Sequence, residues 1–271
     1  MNLTAAKYFK ILEIEWELLK EYKLEFILKL LRIPIHVAIL VLVWLTVFEK
    51  SGATILAGMT LPFFITYIIV ARLIAYCHKP WDIYDILFDY IHTGKIALFL
   101  TKPVRFSFFF FCKAMADSFF SFITIVLLLV AGNILTFFGI PYTFPNITYF
   151  LLFLTSFLLA LVLGFTIYYS IALTMFWVGD VWSVWGTIDG IQAIFSGEII
   201  PLTISTLFYT LSLALPFRHL VFTPVFIYLQ QFTIREALVH ITIQLGWILA
   251  FAIIASIILK KGLSKTDSQG G

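Results

Sequence analysis

Charged residues are scarce in this sequence. Only 12% of its 271 residues are Asp, Glu, Lys or Arg, and 62% are hydrophobic. A soluble domain carries about 25% charged and about 45–50% apolar residues. No soluble fold of this length could hide so much apolar surface, so the composition indicates a membrane protein. The apolar runs are long and continuous, which favours helices over a barrel of roughly ten-residue alternating strands.

Cysteine and catalytic motifs are also lacking. The two cysteines, Cys77 and Cys112, lie in or beside apolar runs and form neither a disulfide framework nor a CxxC metal pair. There is no GxxxxGKS/T phosphate loop, no HExxH zinc motif and no GxSxG nucleophile elbow. The five histidines are scattered, without an i, i+4 pair. We therefore expect no catalytic site, metal site or cofactor on this chain.

Apolar stretches that could cross a bilayer, which takes roughly 20 helical residues, recur along the chain. They cover residues about 30–48, 57–77, 106–136, 148–178, 184–200 and 239–259. The fifth stretch is the weakest, because it contains Asp189, Glu198 and three glycines. The sequence thus predicts an all-α polytopic membrane protein with six transmembrane helices in a single domain over residues 1–271.

The positive charges indicate the orientation of these spans. With a cytoplasmic N-terminus, the outer segments hold only Lys50, Arg218 and Arg235. The inner segments hold Lys7, Lys10, Lys20, Lys23, Lys29, Arg32, Lys79, Lys95, Lys102, Arg105, Lys260, Lys261 and Lys265. Arg72 and Lys113 lie within spans, near their predicted cytoplasmic ends, where long side chains can snorkel to water. Both termini are therefore predicted to be cytoplasmic.

Two polar stretches form amphipathic helices. Residues 5–26 place apolar and charged side chains on different sides, as expected for a helix in the membrane interface, acting as a brace for the first span or as a plain anchor. After the second span, Pro80 can open a helix and Gly94 can close it. Between them, three aspartates form an acidic stripe opposite an apolar one, at Asp82, Asp85 and Asp89. The stripe predicts either a helix that docks into a soluble partner or a solvated surface.

Two polar features lie within predicted spans. Lys113 and Asp117 are four residues apart and can pair on one helix face, which favours a structural ion pair. The glycines of Gly186-Thr-Ile-Asp-Gly190 let helices approach closely. Asp189 between them indicates that this face of the helix packs against protein rather than lipid.

The stretch from residue 195 to residue 218 is too apolar for an ordinary loop and too broken for a membrane helix. It contains FSGEIIPL at 195–202 and LPFR at 215–218, so that Glu198 and Arg218 lie in apolar sequence. A charge at membrane depth costs roughly 2.5–3.5 kcal/mol and usually faces a cavity, a partner or water. Irregular backbone at that depth is tolerated only where protein or water satisfies it. We expect a polar pathway or its gate here.

In their order, these features resemble the permease subunits of ABC-2-type ATP-binding-cassette exporters, in particular bacterial permeases of about 260 residues encoded separately from their ATPase. The resemblance covers nearly the whole chain. The segments that carry it are GKIALFLTKP at 94–103, residues 176–185 with Asp180-Val-Trp182, FSGEIIPL at 195–202, and LPFR at 215–218 with Pro224.

The resemblance implies an N-terminal elbow helix (5–26), a cytoplasmic coupling helix (81–92) and extracellular re-entrant helices (201–236) before the last span. It implies docking of an ATPase on the coupling helix, through Trp81, Asp82, Asp85 and Asp89. It implies an extracellular gate of Glu198, Pro201, Pro216, Phe217 and Arg218. Gly186, Asp189 and Gly190 would form a helix-packing or dimer face. Glu198 is then either a cargo contact or a rim carboxylate that holds the re-entrant helices by pairing with Arg218.

The partners implied by the resemblance are cytoplasmic ATPase subunits, a second permease that is identical or related, and membrane lipid, with no nucleic acid. ATP and Mg²⁺ would bind the ATPase, and this chain would lie in the inner (cytoplasmic) membrane of the cell. An ion-coupled secondary transporter is the alternative. That class tends to show inverted repeats and midplane carboxylates, whereas this chain shows no convincing repeat and Asp189 is its sole candidate.

Overall fold

A computed structural model of the chain describes residues 13–14, 17, 23–56, 58–77, 81–96, 105–131 and 143–269. Through these residues the fold is helical apart from one antiparallel hairpin, β1 (Ile55–Leu56) and β2 (Met59–Thr60). The helices are α1 (Lys23–Ser51), α2 (Leu61–Cys77), α3 (Trp81–His92), α4 (Phe106–Ala131), α5 (Ile147–Ala172), α6 (Met175–Val178), α7 (Trp182–Phe195), α8 (Thr206–Leu213), α9 (Phe222–Tyr228) and α10 (Ile234–Gln269). Single turns of 3-10 helix lie at Leu202–Ile204 and Phe217–His219.

Four stretches of described helix are long and apolar enough to cross a bilayer. They are Pro34–Ser51, Phe106–Val130, Ile147–Val178 and Ile234–Ser264. The pair formed by α8 and the segment Phe217–Tyr228 makes a fifth if it is counted as one span, although it bends by 94°. The prediction of a helical, multi-pass membrane protein is therefore confirmed, with four or five candidate spans among the described residues.

Helices α2 and α7 account for the difference from the predicted six spans. α2 has 17 residues, because the hairpin occupies the start of the predicted second span. α7 has 14 residues, because the chain turns at Ser196 and Gly197 instead of continuing to residue 200. Both helices are shorter than the roughly 20 residues of a straight span, so length alone does not support six spans.

Some predicted features lie outside the described residues. Most of the predicted elbow helix (5–26) is among them, and so are residues 132–136 at the end of the predicted third span. The side chain of Asp117 is also not described, so its pairing with Lys113 remains a prediction.

Helix α5 is the centre of the larger core, where α10 and α9 pack against it. The buried ring of Phe153 in α5 meets Tyr228 of α9 edge-on at 5.1 Å. A buried polar contact ties the same helices together: Ser156 Oγ donates to Gln244 Oε1 at 2.9 Å, and Gln244 Nε2 donates to the carbonyl of His219 at 2.8 Å. Such hydrogen bonds join helices where apolar packing alone has little directional preference.

A second core lies around α3. The apolar face of α3, with Ile83 and Leu87, is buried against α4, α5 and α6. Gly262 of α10 closes this core, since a Cβ at that position would lie 2.3 Å from Cδ2 of Phe176. Helix α3, the short α6 and the end of α10 therefore form one packed layer.

Candidate functional site

The broken segment that follows α7 begins with a tight turn. Helix α7 ends at Phe195, and the Ser196 amide donates to the carbonyl of Gln192. Gly197 has a φ of +77°, a conformation that glycine adopts without steric cost. A Cβ there would lie 2.4 Å from the hydroxyl oxygen of Tyr67, which donates a 2.7 Å hydrogen bond to the Gly197 carbonyl. The turn is therefore locked onto α2.

This turn places Glu198 in an ion pair with Arg72. Arg72 Nη1 lies 2.6 Å from Glu198 Oε1, and the Glu198 side chain is only 6% exposed while that of Arg72 is 29% exposed. The Glu198 amide donates to Ser196 Oγ, which fixes the backbone as well. The predicted pairing of Glu198 with Arg218 is wrong: α2 runs beside the turn and supplies the cation instead.

A chain of polar side chains continues from the ion pair into the protein. Gln192 Nε2 lies 3.4 Å from Glu198 Oε2, and the Tyr168 hydroxyl contacts both Gln192 Oε1 and Asp189 Oδ1, the latter at 2.9 Å. The hydroxyl has one proton and can donate to only one of these acceptors at a time. We call Arg72, Tyr168, Asp189, Gln192 and Glu198 the polar cluster. It joins α2, α5 and α7 by polar contacts in a largely apolar region.

The remaining predicted gate residues lie in the segment between α7 and α10. Pro201 and Pro216 are buried and precede the two 3-10 turns, and Phe217 is also buried. The guanidinium carbon of Arg218 lies over the rings of Tyr209 and Phe222, at 5.1 and 5.2 Å from their centroids. Glu198 and Arg218 therefore do not hydrogen-bond to each other in the structure.

Only part of the predicted acidic stripe on α3 consists of side chains that the structure describes. The side chains of Trp81 and Asp82 are not described, although both residues belong to α3. Asp85 is exposed, and Asp89 Oδ2 accepts a 2.7 Å bond from Lys95 Nζ in an exposed pair. Exposed pairs of this kind contribute about 0–1 kcal/mol, so they leave the stripe available to a partner.

A hydrogen bond connects α3 to the start of α7. The Tyr84 hydroxyl donates to Asp180 Oδ1 at 2.5 Å, and the same oxygen accepts the Trp182 amide at 2.8 Å. The Tyr84 ring meets the rings of Trp182 and Trp185 edge-on, at 5.2 and 5.7 Å. We call this contact between Tyr84, Asp180, Trp182 and Trp185 the tether.

Asp180 and Tyr84, the two ionisable groups of the tether's hydrogen bond, keep their charge states at neutral pH. The hydrogen bond from Tyr84, followed by that from the Trp182 amide, lowers the pKa of the Asp180 carboxyl. Burial, followed by the bond to Asp180, raises the pKa of Tyr84 to about 12. Asp180 is therefore ionised and Tyr84 protonated at neutral pH, which is the combination that the hydrogen bond needs.

The predicted helix-packing face on α7 is open within the single chain. Gly186 and Gly190 are exposed, and a Cβ at either would meet nothing within 4 Å. The neighbouring apolar side chains of Val184, Ile191 and Ile194 are exposed as well. Asp189, between the glycines, is half-buried and points to Tyr168 rather than outward.

Several residues of this site are not predicted from the sequence. Tyr67, Tyr168 and Gln192 carried no signal, because aromatic and amide side chains are common in membrane helices. Arg72 does carry one, since it is the lone cation of its apolar run, although its place near the predicted cytoplasmic end also fits a snorkelling residue. A buried cation and a buried carboxylate in separate apolar runs are the available signal for such a pair.

Comparison with known proteins adds one match. A family model described as ABC-2 family transporter protein matches residues 33–270. No curated protein and no solved structure matches the chain. The matched range contains α3, the tether, the polar cluster and the broken segment after α7.

Proposed function

The chain belongs to the ABC-2 family of transporter proteins, and from this premise we propose that it is the transmembrane subunit of an ATP-binding-cassette exporter. It is a multi-pass membrane protein with a role in transport rather than an enzyme. In the proposal it forms half of a translocation pathway, and ATP and Mg²⁺ bind to a separate ATPase chain that hydrolyses the nucleotide.

The observation that carries the proposal is a continuous route of contacts from α3 to the polar cluster. The Tyr84 hydroxyl and ring hold α3 against the first turn of α7. Along α7, about one turn from its other end, Gln192 contacts Glu198, which pairs with Arg72 of α2. Because α7 has only 14 residues, a displacement of its first turn can be transmitted to the cluster by a single rigid helix.

We propose that α3 is the coupling helix on which the ATPase docks. Its apolar face is buried in the protein, while Asp85 is exposed at its surface. This asymmetry matches a helix that is anchored on one side and offers carboxylates to a partner on the other. The proposal places both termini in the cytoplasm and the chain in the inner membrane, in agreement with the distribution of Lys and Arg.

The mechanism follows from this route. ATP binding would close two ATPase subunits and displace α3, and the tether would pass that motion to α7. The polar cluster would then shift between two arrangements, with the re-entrant segment 201–236 as the extracellular gate. Binding can drive such a shift only if the ATPase binds the two arrangements with different affinities.

A second permease completes the proposed pathway. The open face of α7, with Gly186 and Gly190, permits the close helix approach seen at small-residue interfaces. The partner is a second copy of this chain or a related permease. The ion-coupled alternative has less support, because Glu198 is compensated by Arg72 rather than free to take up a proton or a cation.

Charge reversal on α3 tests the docking step. We expect the Asp82→Lys, Asp85→Lys, Asp89→Lys triple variant to lose co-purification of the P-loop ATPase that accompanies the wild-type chain, because the acidic surface becomes basic. The measurement is quantitative mass spectrometry of the affinity-purified complex from membranes.

A control with the same change in charge is the triple variant of Glu13, Glu17 and Asp267 to Lys, which alters predicted cytoplasmic positions outside α3. This control should retain the ATPase. If the α3 variant retains the ATPase at the wild-type level, or if both variants lose it equally, docking on the acidic stripe is wrong.

A further inference from the structure

Arg218 is a buried cation for which the proposed coupling route provides no role. The residue is 1% exposed, and its Nε, Nη1 and Nη2 atoms have no hydrogen-bond acceptor among the described residues. A guanidinium has five N–H donors and stays protonated in proteins, so it cannot relieve its burial by losing the charge. Buried groups of this kind are normally paired.

The immediate neighbours of Arg218 are aromatic rings. Tyr209 of α8 and Phe222 of α9 face its guanidinium carbon at 5.1 and 5.2 Å. Ring faces attract a cation, but they offer no oxygen acceptors to its N–H groups. The two rings therefore hold the guanidinium between the re-entrant helices without satisfying its hydrogen bonds.

Two histidines lie around Arg218, and an imidazole cannot supply the negative charge that would balance it. They are His219, whose Nδ1 is 3.0 Å from Thr223 Oγ1, and His240 of α10, whose ring lies 5.8 Å from that of His219. The Nδ1 atom of His240 is also buried and has no partner among the described residues.

The carboxylates of Glu236 and Glu198 make no hydrogen bond to Arg218 and have other partners. Glu236, one turn before His240, accepts two 2.8 Å bonds from the amide and hydroxyl of Thr233. Glu198 is paired with Arg72. Residues 132–142, which precede α5 and are not described, include no Asp or Glu in the sequence.

We infer that Arg218, together with His240, forms a binding site for a phosphate-type oxyanion between the re-entrant helices. The planar guanidinium matches two oxygens of such a group in a bidentate arrangement, and the anion supplies the missing counter-charge. The anion belongs either to a lipid headgroup or to a soluble phosphate. This inference is independent of the coupling proposed for α3.

Helix α8 is the element that would admit the anion. It has eight residues and carries Tyr209 over the guanidinium, while three of its apolar side chains, Leu207, Leu211 and Leu213, are exposed. A helix with so much exposed surface can swing away with little loss of burial. Its movement takes Tyr209 away from the guanidinium and from the ring of Phe222 in α9, which is buried along its length.

Thermal unfolding of the purified full-length chain in detergent tests the site. Potassium phosphate replaces potassium chloride at constant ionic strength, and tryptophan fluorescence follows unfolding. We expect Tm to rise with the logarithm of the phosphate concentration above its Kd, by about 4 °C when phosphate is tenfold above its Kd. Native mass spectrometry of the same preparation detects any co-purified phospholipid, which identifies a headgroup as the source if it is held through Arg218.

Arg218→Met should abolish both the phosphate response and any retained lipid, while Arg235→Met, which removes an exposed arginine at the start of α10, should keep them. Arg218→Lys, which retains the charge but loses the planar fork, should weaken the response if the methionine variant does not fold. The inference is overturned if the wild-type chain shows neither a rise in Tm with phosphate relative to chloride nor bound lipid. It is equally overturned if Arg218→Met retains what the wild-type chain shows.

Discussion

Arg72 and Glu198 are 126 positions apart in the sequence and meet in a partly buried ion pair of 2.6 Å. Glu198 is nearly fully buried, whereas part of Arg72 reaches the surface of the chain. Removal of one partner leaves the other charge uncompensated. The free-energy cost is therefore higher when Glu198 is left unpaired than when Arg72 is. The pair fixes the turn after α7 to α2.

A double-mutant cycle on Glu198→Gln and Arg72→Met measures this pair. We expect a coupling energy of about 1–3 kcal/mol in unfolding free energy, because the residues contact each other directly and Glu198 is desolvated. Glu198→Gln should also change transport while ATPase association is retained, since Glu198 lies away from α3.

The matched control is the same cycle on the exposed pair of Lys95 and Asp89, which has a similar distance of 2.7 Å. Its coupling should stay below about 1 kcal/mol. A coupling near zero at Arg72 and Glu198 would show that the pair does not hold the turn.

Gly197 is the second residue on which the turn depends. Gly197→Ala should destabilise the chain by more than about 2 kcal/mol, because a non-glycine residue at positive φ is strained and its Cβ would also overlap the Tyr67 hydroxyl at 2.4 Å. Unfolding free energies from chemical denaturation provide the measurement. Gly52→Ala separates the two effects, since Gly52 has a φ of +62° but open space around it. Equal losses at both positions would contradict the close approach to Tyr67.

The sequence could indicate which residues of the site are polar but not which of them meet. Glu198 and Asp189 stand out because carboxylates are rare in apolar runs. Their partners depend on which distant helices pack side by side, and neither periodicity nor composition contains that information. For this reason the pairing of Glu198 was wrongly predicted, and Tyr168 and Gln192 were not selected.

Among the elements, α7 combines three of the features described above. One end carries the tether, the other carries the polar cluster, and one face is left open. A helix of 14 residues spans about 21 Å at 1.5 Å per residue. It therefore reaches from α3 into the membrane-embedded part of the fold but is too short to cross a bilayer alone.

The open face of α7 predicts where a second permease packs. Gly186→Leu and Gly190→Leu should each reduce the dimer fraction several-fold, because the added side chains hold the helices apart. Chemical cross-linking in native membranes, or light scattering in detergent, gives the fraction. Gly246→Leu on α10 is the matched control, since a Cβ there also meets nothing within 4 Å. A dimer fraction that is unchanged in the α7 variants, or reduced equally in the control, would place the interface elsewhere.

The ends of a helix could be predicted where a proline or a glycine beside it marks them in the sequence. Pro80 and Gly94 flank α3, and Gly94 has a φ of +70°. The hairpin at 55–60 and the turn at 196–197 shorten α2 and α7, and neither follows from hydropathy, which continues across both breaks. The end of α7 is set by a turn that contacts a distant helix, through Tyr67 and Gly197. The start of α2 is set by the hairpin before it.

At the scale of the whole molecule, two cores lie along the central helix α5. One contains α9 and the start of α10, and the other contains α3, α6 and the end of α10. The polar cluster and α7 connect them. In the proposed function this arrangement places the ATPase contact in one core and the gate in the other, so that α7 is the element through which they communicate.

The central claim is that the tether transmits ATPase motion to the gate. Spin labels at Leu207 on α8 and Ile147 at the start of α5, both exposed, report the position of the gate in a variant in which Cys77 and Cys112 are replaced. Pulsed EPR on the chain reconstituted with its ATPase compares the nucleotide-free and vanadate-trapped states. We predict that the distance between the labels shifts on trapping, and that Tyr84→Phe abolishes the shift while ATP hydrolysis continues. A shift that persists in Tyr84→Phe, or no shift with the tether intact, would contradict the claim.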